Sequence, residues 1–115
     1  MTVSARLKGY RVSAQKARIV ADQIRGRGVE DALAILDLST KRFAKPLAKL
    51  VRSALANAED KNNREQAGID IDNLVVHRIT VDQGPNMWRI RARAQGRANW
   101  VQHKTSSVQV VLSEE

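Results

Sequence analysis

Between Gln83 and Lys104 the chain reads QGPNMWRIRARAQGRANWVQHK, with five Lys or Arg, no Asp or Glu, and arginines at every second position through Arg89, Arg91 and Arg93. Period-two alternation is the signature of a strand, whose neighbouring side chains point to opposite faces. One face here carries the arginines. The other carries Trp88, Ile90, Ala92 and Ala94, and its two alanines bury too little apolar area, at about 25 cal/mol per Å², to anchor the segment against a core. The pattern predicts a free-standing ribbon that needs a partner.

A chain of 115 residues supports one modest core, hence a single domain, 1–115. Its formal charge of +8, from twenty Lys and Arg against twelve Asp and Glu, points to a polyanionic partner. The excess sits in three blocks, residues 1–28, 41–64 and 82–104, separated by acidic stretches at 29–40 and 65–81. That spacing suits a surface that touches a polyanion in several places. With no cysteine, disulfides and thiolate metal sites are excluded and nothing suggests an oxidising compartment. No apolar run approaches the roughly 20 residues of a membrane span, and the N-terminus lacks the apolar region of a secretory signal, so a cytosolic protein without membrane contact is expected.

Along the chain, Thr2 to Tyr10 alternates as a half-buried strand. Ser13 offers an N-cap to a helix over Ala14 to Arg25 whose apolar stripe is Ala17, Val20, Ala21 and Ile24, closed by Gly26-Arg27-Gly28. Val29, Ala32, Leu33 and Leu36 repeat the spacing in a short second helix, with Glu30 and Asp31 at the positive end of its dipole. A third follows Ser39 and Thr40, with Ala44, Leu47, Ala48, Val51, Leu55 and Ala58 on one face. Pro46 predicts a kink there, or a helix that properly starts near Lys45. Leu74 to Val81 and Trp100 to Leu112 read as strands. The simplest topology is then one long antiparallel hairpin, its bases paired in a sheet and about eight residues per arm projecting on the order of 25 Å.

Groupings that would support catalysis or metal binding are missing. His77 and His103 lie at no metal-ligand spacing, and Gly26-Arg27-Gly28 forms neither a dinucleotide fingerprint nor a phosphate-cradling loop. Asp70 and Asp72 read as a solvated strand entry, since nothing nearby suggests a pocket to raise one carboxyl's pKa. No enzyme, metal or cofactor is expected. With Tyr10, Phe43, Trp88 and Trp100 as the aromatic residues, base stacking on a sheet is disfavoured, and binding should rest on charge and shape.

Five collinear pieces carry a resemblance: SAQKARIVADQIRGRGVEDALAIL (Ser13 to Leu36), SALANAEDKNN (Ser53 to Asn63), DQGPNMWR (Asp82 to Arg89), RARAQGRA (Arg91 to Ala98) and TSSVQVVLSE (Thr105 to Glu114). Together they resemble the large-subunit ribosomal protein twenty-two family of the bacterial type. The resemblance implies an α+β fold of three helices packed on a three-stranded antiparallel sheet, with a long protruding β-hairpin that penetrates ribosomal RNA. It implies a structural constituent of the large subunit, ribosome-bound in the cytoplasm and monomeric there. Its partners would be 23S-type rRNA, whose assembly and folding it supports, neighbouring ribosomal proteins and the nascent polypeptide of the exit tunnel.

Carried over by position, residues 84–98 would be the extended hairpin loop, with Met87, Trp88, Arg89, Ile90 and Arg91 at the tunnel-lining tip. The rRNA-binding residues would be Arg11, Lys16, Arg18, Arg25, Lys41, Arg42, Arg89, Arg91, Arg93, Arg97 and Lys104. Trp88 stands where the family is usually basic, and Arg91 and Ala92 where it often has an apolar residue and proline. The competing reading is an architectural DNA-binding protein that wraps duplex with a basic β-ribbon arm; such proteins usually dimerise, and no second apolar seam is visible here.

Overall fold

The computed structural model describes residues 2–65 and 68–114. Strand β1 (Thr2–Tyr10) leads into α1 (Ala14–Ile24), α2 (Val29–Leu38) and α3 (Ala44–Glu65). A 3₁₀ turn at Ile71–Asn73 opens β2 (Leu74–Gln83), followed by β3 (Met87–Ala92), β4 (Ala98–His103) and β5 (Ser106–Glu114). The α+β class holds, with every strand pairing antiparallel. The predicted hairpin has its bases, β2 and β5, paired in the sheet, and its ladder is interrupted before the projecting arms. β5 lies between β1 and β2 in a three-stranded sheet, whereas β3 and β4 form a separate two-stranded ribbon.

Helix positions follow from capping and apolar spacing. The Ser13 side chain accepts from the Lys16 amide, and the buried stripe of α1 is Ala17, Val20, Ala21 and Ile24, as its i, i+3, i+4, i+7 spacing requires. Pro46 causes no kink. α3 begins at Ala44, so the proline falls in the first turn, where an amide hydrogen would have had no intrahelical acceptor. Its buried face runs through Leu50 and Ala54 as well as Leu47, Val51 and Ala58, while Leu55 is only half-buried.

The helices cover one face of the sheet, and β5 alternates beneath them: Ser106, Val108, Val110 and Leu112 are buried, Ser107, Gln109, Val111 and Ser113 less so. On β2 the buried residues are Leu74 and Val76, then Ile79 and Val81, a change from even to odd positions. The β2–β5 register shifts between Val76 and Arg78. This β-bulge admits one extra residue and returns the apolar side chains to the core face. Asp70 and Asp72 are exposed at the entry to β2, and there Asp70 caps the 3₁₀ turn, accepting from the Asp72 amide and, at 2.6 Å, from Asn73 Nδ2.

The outer edge of β2 is closed by the segment after α1. Gly26, at φ +80, turns the chain so that its amide donates to Val76 O at 2.9 Å and Val76 N donates to Arg27 O at 2.8 Å. Two arginines, Arg18 of α1 and Arg25 at its C-cap, continue this seal: Arg18 Nη2 donates to Val81 O at 2.9 Å and Arg25 Nη2 to Ile79 O at 3.1 Å.

The chain measures 65 × 28 × 16 Å with a radius of gyration of 17.5 Å, against about 13 Å for a compact chain of this length. The ribbon accounts for the excess. Its arms are six residues each, Met87–Ala92 and Ala98–His103, or roughly 20 Å of strand. The ladders separate at Gly84, whose amide donates to Thr105 O at 2.9 Å, while Thr105 Oγ1 donates to Pro85 O. A Cβ on Gly84 would meet Thr105 Oγ1 at 2.7 Å, and that hydroxyl cannot swing away without losing its acceptor. Gly84→Ala is expected to lower stability by about 1–3 kcal/mol in urea denaturation, and to do little in a Thr105→Ala background.

Candidate nucleic-acid interface

An open cleft of about 1170 Å³ lies where β1, α1, the α2–α3 connection and the base of the ribbon meet. The turn from β1 into α1 brings Arg11, the outer face of α1 brings Lys16, and the connection brings Lys41 and Arg42. His103 and Lys104, at the end of β4, complete the wall, so the cleft runs onto the ribbon. Tyr10, Ile19 and Phe43 supply apolar lining, the two rings tilted at 55° with centroids 5.6 Å apart. Among the described residues no acidic side chain lines the cleft.

Residues far apart in sequence thus form one cationic surface. Arg11, Lys16, Lys41, Arg42 and Lys104 are exposed, and the ion pairs found among the described residues, Arg25–Asp22, Arg52–Asp37 and Arg64–Asp60, involve none of them. Arg11 Nη2 lies 2.9 Å from His103 Nδ1. Because a guanidinium only donates, the imidazole accepts in this contact, which ties the β1–α1 turn to the ribbon.

The ribbon adds a second cationic surface. Its register pairs Met87 with His103, Trp88 with Gln102, Arg89 with Val101, Ile90 with Trp100, Arg91 with Asn99 and Ala92 with Ala98. Directly opposite residues share a face. Arg89 and Arg91 therefore lie on one side, and Trp88, Ile90 and Trp100 on the other. The connection is the turn Arg93 to Arg97, closed by Arg93 N donating to Arg97 O at 2.6 Å, with Gln95 at φ +60 and Gly96 at φ +74. The placement of Met87 to Arg91 at the tip is accordingly corrected. Met87 stands at the base and Arg89 mid-arm, because pairing continues to Ala92 and the Gly96-containing turn, not the Gly84-Pro85 turn, reverses the chain.

Arg18 and Arg25 join neither surface. Each directs a guanidinium nitrogen to a β2 carbonyl, and Arg25 also pairs with Asp22. Alternation of basic and apolar residues on α1 could not distinguish an arginine that seals a sheet edge from one that faces outward. The two ribbon tryptophans are the feature that counting aromatics missed; the signal was their parity about the turn, which puts both on one face.

A protein-family model described as "Ribosomal protein L22p/L17e" matches residues 5–113. The chain belongs to this family. It is 54% identical over 108 residues to the large ribosomal subunit protein uL22 of Anaeromyxobacter sp. (strain K) and to that of Anaeromyxobacter dehalogenans (strain 2CP-1 / ATCC BAA-258), covering 94% of this chain and 71% of each relative. The protein of that name from Anaeromyxobacter sp. (strain Fw109-5) is 51% identical over 108 residues, with 94% of this chain and 72% of the relative covered. L22p/L17e membership makes the chain a structural, non-enzymatic component of the ribosome, in place of the DNA-architectural alternative. No described helix is long and apolar enough to cross a membrane.

Proposed function

We propose that this L22p/L17e protein, a structural protein of the large ribosomal subunit, binds large-subunit rRNA through the cleft and the ribbon and so supports the folding of that RNA during assembly. The cleft carries the proposal: five exposed cations from four separate segments converge there, with no acid and no ion pair to them among the described residues. Protein recognition of structured RNA relies on backbone charge and shape, and an arginine fork bridges phosphates. Arg89, Arg91, Arg93 and Arg97 extend the contact along the ribbon. Arg18 and Arg25, tied to β2, contribute at most their remaining donors.

The turn at Arg93–Arg97 is the part of the ribbon that reaches the nascent-peptide exit tunnel and lines its wall. Met87 to Arg91, nearer the base, lie against RNA. The body meets neighbouring ribosomal proteins at the subunit surface.

Affinity for folded large-subunit RNA and for duplex DNA, measured across a salt series, tests the RNA reading. The wild type is compared with a chain in which 87–103 is replaced by a short turn. RNA is expected to be preferred, with log K falling linearly in log salt through counterion release, and part of the binding is expected to survive through the cleft. Preference for duplex DNA, with all binding lost along with the ribbon, would overturn it.

A further inference from the structure

The ribbon has a second face that the phosphate contacts leave unused. Trp88 is 54% exposed, Ile90 62% and Trp100 67%. Ile90 and Trp100 are directly opposed, with Trp88 on the adjoining diagonal, so the three side chains form one patch. They are the chain's two tryptophans and a β-branched residue, standing on a two-stranded ribbon clear of the core. Large apolar side chains left contiguous and exposed in this way mark an interaction site.

We infer that this face stacks on unpaired bases of the RNA while the opposite, arginine-bearing face holds its phosphates. The inference rests on the RNA-binding reading above and assigns the ribbon's two sides within it. Charge selects the occupant. The segment 83–104 holds Arg89, Arg91, Arg93, Arg97 and Lys104 with no acid, so whatever covers the indoles must present flat apolar surface beside repeated negative charge. Unpaired nucleotides do so: every base has a π-face that an aromatic ring accepts whatever the sequence. Bases inside a regular RNA helix are already stacked and unavailable, which directs the face to loops, bulges and strand ends.

Because both tryptophans lie on this face, indole fluorescence of the full chain reports on it without a label. The probes are an oligoadenylate, an abasic strand with the same number of phosphates, and an RNA duplex of equal length. All three are expected to bind in a salt-dependent manner, but oligoadenylate alone should quench the indoles. Trp88→Ala or Trp100→Ala should weaken oligoadenylate binding about five- to a hundredfold and leave the abasic strand unaffected. Trp88→Phe, which keeps a flat ring, should restore most of the loss, whereas Arg91→Ala should weaken all three probes alike.

Salt-dependent binding with indoles equally silent, or equally quenched, for oligoadenylate and the abasic strand would overturn the stacking inference and leave the wider reading standing. A concentration-dependent dimer that shields the indoles would overturn it in favour of a second copy as occupant. Failure of every RNA probe to bind at low salt would overturn both.

Discussion

Replacing Arg11, Lys16, Lys41, Arg42 and Lys104 together by Gln is expected to reduce the steepness of log K against log salt by up to about 4, since each phosphate contact contributes roughly 0.7–0.9. The associated loss of affinity for large-subunit RNA near 0.15 M salt is on the order of 10²- to 10³-fold. All five side chains are exposed and outside the ion pairs, and such substitutions ordinarily shift stability by no more than about 0.5 kcal/mol each. Shifts of either sign partly cancel, so the melting temperature should move by less than about 10 °C. A filter-binding or fluorescence titration with an unchanged slope would show that the cleft faces solvent or protein in the complex.

The largest effect on folding is expected at the centre of the sheet. Leu112 is fully buried on β5, the strand that pairs with both β1 and β2. Leu112→Ala removes its side chain where neighbours on two strands and the helices above cannot close in, at about 2–5 kcal/mol. Against a total stability of roughly 5–15 kcal/mol, this lowers the melting temperature by something like 10–25 °C for a chain of this size. Ile90→Ala, an equally large truncation on the ribbon, should cost less than about 0.5 kcal/mol because the side chain is already 62% exposed. Equal losses at the two positions, by calorimetry or urea denaturation, would contradict the separation of ribbon and core.

Much of the fold was legible in the sequence because it depends on short-range periodicity. Ala17, Val20, Ala21 and Ile24 announce the buried side of α1 by spacing alone, and the cap at Ser13 needs only its neighbour Lys16. The ribbon's existence followed from alternating arginines without a core face. Its tip was harder to place. Gly84-Pro85 and Gln95-Gly96 are both turn-like, and the choice between them rests on cross-strand register, which pairs Met87 with His103. The bulge at His77 shows in the sequence as a change of apolar parity between Val76 and Ile79.

The cleft could not be read from any one stretch, because Arg11, Lys41 and Lys104 become neighbours only when the sheet brings β1 and the end of β4 beside the α2–α3 connection. Conversely, Arg18 and Arg25 sit in a basic block and yet their guanidinium groups are committed to carbonyls of β2. Charge counting locates cations along a chain but does not say what each one faces.

The closed edge of β2 bears on the time between synthesis and assembly. An unsealed edge strand offers its amides and carbonyls to any similar strand and so invites sheet-to-sheet aggregation. Gly26, Arg27, Arg18 and Arg25 already occupy those groups on β2, and Asn57 Nδ2 donates to Ser4 O on β1 at 2.9 Å. On the ribbon, whose strands also have free edges, the arginines make two copies repel. Backbone groups already engaged on β2 and like charge on the ribbon are two separate devices against strand-to-strand polymerisation of free chains.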